Sequence, residues 1–144
     1  MVLSATETKA MILQGISELV LIGVHERGIP NKERIVLRAN DRLQMGQFGL
    51  LLGVKGAPGF AFPIKDNFFW FGEGMVDRGD YVFVFTGSGN PQKSELPNSS
   101  EKLYTVFWGR AMTLFMDPNV VPILMRIDAL TVDNPQQLLP PGSA

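Results

Sequence analysis

Few side chains in this sequence are equipped for chemistry. There is one histidine, His25, and no cysteine. That removes thiol catalysis, disulfides, cysteine-based zinc sites and any paired-histidine metal cluster or relay. His25 stands beside Glu26 and could serve as a general base, but no serine or acidic partner lies at a recognisable spacing, and a solvated turn residue is the better reading. Glu73 with Asp77 or Asp80 offers the two carboxylates that a hydrolase needs. Asp66, Glu73, Asp77 and Asp80 could also collect a calcium ion through oxygen ligands. Their spacing matches no calcium loop, and aspartates so placed more often accept from nearby backbone amides in turns. Thr86-Gly87-Ser88-Gly89-Asn90 could present amides to a phosphate. It lacks the lysine and following helix of a P-loop, and its glycines suit a tight strand exit equally well. Arg110, just after Trp108-Gly109, reads as structural, stacked on an aromatic face or paired with an acid. No catalytic, cofactor-binding or metal-ligating residue is assigned, no cofactor is expected, and the chain is not expected to be an enzyme.

The sharper feature is apolar. Phe68, Phe69, Trp70 and Phe71 stand in a row. In a strand alternate side chains point to opposite faces, so Phe68 and Trp70 share one side and Phe69 and Phe71 the other. Either the strand is buried on both faces, or one pair is exposed as a contact surface. These four residues are the candidate interaction surface.

Composition sets the frame for that surface. At 144 residues one domain with a single sizeable core is expected. Charged residues are 19% of the chain, below the usual quarter, and mean hydropathy is slightly positive at +0.10. No apolar run approaches the ~18 residues that span a bilayer, so the excess belongs to a core or an interface. A net charge of −1 and no basic cluster argue against nucleic acid as the main partner. The opening MVLSATETKAMI shows no signal peptide, and a cytoplasmic location is expected.

The elements that must position these residues are mostly strands. Tyr81 to Phe85 and Leu103 to Trp108 form the expected central pair, with Phe83, Phe85 and Trp108 in the core. Ser17 to Val24 reads as a strand buried on both faces. Glu33 to Asn40 alternates, Ile35 and Leu37 against Arg34, Val36 and Arg38. Phe48 to Val54 is a further strand with glycines that mark a bulge. Phe60 to Phe62 is a short strand that Pro63 confines to an edge. Ala111 to Met116 and Val120 to Ile127 are expected to add two more. Pro91 to Ser100 reads as a mobile polar loop. Residues 1–16 form an N-terminal segment, with a capping box at Ser4 to Glu7 that could start a short helix. Residues 17–132 form the β domain and 133–144 a Pro-rich tail. Short strands with regular turn signals indicate an all-β, two-sheet sandwich of about seven to nine strands.

In this order several motifs resemble the lamin tail domain, an immunoglobulin-like β-sandwich family. They are Glu33 to Asn40, ending in Asn; Phe48-Gly49-Leu50-Leu51-Leu52; Phe62-Pro63; Met75 to Tyr81 as a turn into a strand; Phe85-Thr86-Gly87-Ser88-Gly89; and Tyr104 with Phe107-Trp108-Gly109-Arg110. The chain departs from the family's pattern at Met116 to Val120, in the extra stretch Pro91 to Ser100, and in the block Phe68 to Phe71. The resemblance implies a binding or scaffolding module without catalysis. The function expected is therefore a non-catalytic protein-interaction domain that self-associates as a homo-oligomer. The alternatives are a small-ligand-binding β domain with an aromatic-lined pocket and, behind it, a small hydrolase.

Overall fold

The computed structural model describes residues 15–133. The helix expected after Ser4 and the tail from residue 134 lie outside them. Ten strands follow one another: β1 (Leu19–His25), β2 (Arg34–Ala39), β3 (Leu43–Gln44), β4 (Phe48–Lys55), β5 (Ala61–Trp70), β6 (Met75–Val76), β7 (Tyr81–Phe85), β8 (Gln92–Glu95), β9 (Lys102–Phe107) and β10 (Val120–Arg126). A 3-10 turn, Met45–Gln47, joins β3 to β4. The chain is all-β. A five-stranded sheet in the order β1-β2-β7-β9-β8 packs against a three-stranded sheet in the order β10-β4-β5, and the short pair β3-β6 forms a third small sheet.

Alternation makes the core. Ile35, Leu37, Ala39, Val82 and Val84 from the larger sheet meet Phe48, Leu50 and Leu52 from the smaller one, all buried. Leu43, Met45 and Val76 join the same cluster from β3, β6 and the turn between β3 and β4. Trp108 tilts against Phe69 at 5.4 Å between ring centres, an inter-sheet contact.

The structure corrects four expectations. On β7 the core side belongs to the valines, while Tyr81, Phe83 and Phe85 are only partly buried on the outer face. Register explains it: Val82 and Val84 pair with Leu37 and Ile35, whereas Phe85, Phe83 and Tyr81 pair with Arg34, Val36 and Arg38. Partners across a strand pair share a face, so the arginines carry the aromatics outward with them. Trp108 packs against the core but is not fully buried.

β1 is an edge strand with only Leu19 buried; Val20 and Ile22 are exposed. The segment read as mobile contains β8, paired antiparallel to β9. That hairpin follows from topology. β7 and β9 run parallel, a pairing that needs a long connection, and the polar stretch between them doubles back along β9. Finally, no strand forms over Ala111 to Met116. Leu114 and Phe115 instead give their amides to the Glu33 carboxylate at 2.6 and 3.1 Å, and the Phe115 ring is fully buried.

Candidate functional site

The four aromatics lie at the end of β5, and the chain reaches them through a break in the strand. β5 pairs with β4 from Ala61↔Lys55 to Pro63↔Gly53, then resumes at Phe68↔Leu51. The residues between leave the ladder, with Ile64 packed against the core and Asp66 in the left-handed region at φ 60°. A short polar residue tolerates that conformation better than a branched one. Asp66-Asn67 therefore marks a bulge within one long edge strand, which runs from the expected short strand at Phe60 to Phe62 into the aromatic row.

Beyond the bulge the aromatics split by alternation. Phe69 and Phe71 point inward and pack on the core, their rings 5.4 Å apart edge to face. Phe68 and Trp70 point outward and are 48% and 50% exposed. The Trp70 indole donates from Nε1 to the Gly46 carbonyl at 2.8 Å, which fixes one edge of the ring. Only half of the expected surface is thus available for contact; Phe69 and Phe71 belong to the fold.

The outer face that Phe68 and Trp70 share was not legible as a surface from the sequence. Register sets Trp70 beside Gly49 and Met125, Phe68 beside Leu51 and Ile123, and Pro63 beside Gly53 and Val121. None of these nine residues is charged. The glycines keep the face level: a side chain at Gly49 would meet the Phe68 ring, and one at Gly53 would meet the Ile123 side chain. At the far end Phe60, Ala61, Val121 and Ile123 border a shallow hollow of about 470 Å³, with Lys55 at its rim.

The outer face of the five-stranded sheet differs. There Arg34 stacks over Phe83 and Phe85 at 5.5 and 5.7 Å, and Arg38 over Tyr81 at 5.1 Å. Arg38 also pairs with Glu101 at 3.0 Å. Phe85 stacks on Phe107 with centres 5.6 Å apart. Guanidinium groups laid on aromatic faces cover apolar surface while they keep contact with water.

The residues that suggested chemistry are placed in turns. Asp80 is buried; its carboxylate accepts from the amides of Asp77 and Lys102, both at 2.9 Å. Asp77 is exposed and faces Arg42 at 3.5 Å. No group of three or more His, Cys, Asp or Glu able to hold a metal ion occurs among the described residues. His25 is exposed at the end of β1. The carbonyls of Thr86 and Gly87 accept from the amides of Arg110 and Gly109, so this glycine-rich stretch is built into a strand exit. Glu33, which the sequence did not single out, is the buried carboxylate with the most partners among the described residues: Gly28, Thr86, Leu114 and Phe115 all donate to it.

No helix of the described residues is long and apolar enough to cross a membrane. No family model, curated protein or solved structure matches the chain.

Proposed function

We propose that this is a non-catalytic interaction domain that self-associates through the outer face of its three-stranded sheet. The observation that carries the reading is the contrast between the two outer faces. Arginines cover the aromatics of one, while the other presents Phe68 and Trp70 among aliphatic side chains with no charge near its centre. Exposed aromatic and aliphatic side chains grouped on one face are what contact surfaces use. Phe68 and Trp70 are the contact residues; Phe69 and Phe71 support them from behind. The proposed family is the lamin tail domain, with its immunoglobulin-like sandwich. The motifs that carry the resemblance lie at strand starts and ends here: Asn40 just past β2, Phe48 opening β4, Phe62-Pro63 within β5, Tyr81 opening β7 and Thr86 to Gly89 leaving it. Non-catalytic scaffolding in the cytoplasm is the role this reading assigns.

Light scattering on wild type and on a Phe68→Ser/Trp70→Ser variant tests it. Wild type is expected to gain mass with concentration up to ~100 μM, above the micromolar range of weak complexes. The variant should remain monomeric with unchanged circular dichroism. A Tyr81→Ser variant on the arginine-covered face should associate as wild type does. A wild type that remains monomeric throughout would contradict the reading.

A further inference from the structure

Along one side of the molecule the two sheets leave a seam. β1 ends the larger sheet and β10 the smaller one, so each is an edge strand. Arg126 pairs with Glu18 across the seam at one end. Between the two edges lies a cleft of about 820 Å³, walled by Leu19 and Leu21 on β1 and by Leu124 and Met125 on β10. Leu21 and Leu124 pack against the core and are only partly buried. An open seam of this kind leaves apolar side chains in water and two strand edges uncovered.

We infer that residues 1–14 of the same chain seat in this cleft, with Met11, Ile12 and Leu13 between β1 and β10. The segment expected to precede the β domain is then part of it. Where the segment joins the described structure is the first reason. Gly15 and Ile16, which lead into β1, are themselves part of the cleft wall. Met11 stands four residues before Gly15, and four residues span at most about 14 Å. The apolar triplet is therefore held beside the cleft. A short tether of this kind gives a group an effective concentration in the millimolar range, which favours it over a second copy or a free apolar peptide. Chemistry agrees with the tether. The triplet is aliphatic like the walls, and Lys9 brings a positive charge toward a rim that holds Asp128. The other end of the chain also leaves past Asp128, but its Leu138-Leu139 pair lies ten residues beyond, with Pro135 between. That longer tether holds its apolar pair near the cleft less effectively. Seating residues 1–14 requires no second copy, so it stands or falls apart from the self-association proposed above.

Because the chain has no cysteine, Thr8→Cys gives the full chain one site for a nitroxide label, read by broadening of backbone amide signals in NMR spectra. A seated segment is expected to broaden Leu21, Leu124 and Met125 severalfold more than Asn40, which donates to the Ser17 carbonyl on the β2 side of β1. Adding Met11→Asp, Ile12→Asp and Leu13→Asp to the labelled chain should abolish that preference. Equal broadening of Leu124 and Asn40 in the labelled parent would overturn the inference, as would a preference that survives the three aspartates. Labelled chain mixed with isotope-enriched, unlabelled chain reports contacts between copies. Leu124 broadened as strongly in that mixture as within one chain would put a second copy in the cleft and overturn the assignment. A Gln136→Cys label that broadens Leu124 where the Thr8→Cys label does not would make the C-terminal tail the occupant instead.

Discussion

Glu33 shows how much of this fold hangs on a single side chain. It is 1% exposed, and its two oxygens receive three backbone amides and the Thr86 hydroxyl. A buried carboxylate is tolerated when charge-assisted bonds replace its hydration. Here they tie the segment after Trp108, which has no strand of its own, to the start of β2. Glu33→Ala would leave three amides without acceptors, at about 1–3 kcal/mol each if they stayed buried. A loss of roughly 3–5 kcal/mol in urea unfolding is therefore expected, since the loop can partly open to water. Limited proteolysis should also cut between Gly109 and Asn119. A loss under ~1 kcal/mol would mean that other contacts hold the loop. The sequence marks none of this, because the partners stand at residues 28, 86, 114 and 115 and only the fold brings them together. Glu18 supplies the pH dependence. Its own backbone amide, and then Arg126 on β10, hold its carboxyl below the ordinary carboxylate range. A carboxyl with a lowered folded pKa stabilises the fold above its unfolded value and loses that contribution as pH falls through the folded one. Titration by NMR should therefore show Glu18 moving up toward the ordinary value in Arg126→Ala. An unmoved titration would remove Arg126 as a cause.

At the scale of elements, alternation was the readable signal and pairing the hidden one. β2 and β10 fall where their apolar patterns put them, and β4 begins at the expected Phe48. The inward face of β7 could not be read from β7 alone. Either face is apolar, and the larger rings of Phe83 and Phe85 draw the eye to the wrong one; only the register with Arg34 and Arg38 decides it. Circular dichroism on two lysine variants checks the result. Val84→Lys should prevent folding, because it puts a charge in the core. Phe83→Lys should leave a folded domain that melts at a lower temperature. Equal outcomes would place β7 in the wrong register. β8 was missed for a different reason. Gln92 to Glu95 is polar on both faces and exposed throughout, as suits an edge strand guarded against further pairing. Its backbone, not its side chains, holds it to β9. Protease should thus cut at the hairpin tip, Pro97 to Ser100, and spare Gln92 to Glu95; cleavage within β8 would show that the strand is not formed.

For the whole molecule, the positive hydropathy is carried partly by exposed apolar side chains spread over several elements, Phe68 and Trp70 among them. The larger sheet places arginines over its outer aromatics, and the smaller sheet leaves its outer face bare. The four-aromatic row drew attention to this region, and the strand alternation divides it into an exposed pair, Phe68 and Trp70, and an inward pair, Phe69 and Phe71. Glycines in β4 and aliphatics in β10 complete the surface, and they look unremarkable in sequence because only register assembles them. The contact claim can be read from one residue. Trp70 and Trp108 are the two tryptophans of the chain, and Trp108→Phe leaves Trp70 as the sole indole. Acrylamide quenching of that variant, followed across dilution from ~100 μM to well below the micromolar range, reports directly whether the Trp70 face becomes covered. A Trp70 face covered by self-association gives a protected indole at high concentration that becomes freely quenched on dilution, with Phe68→Ser removing the protection. Quenching that is strong and independent of concentration would contradict it.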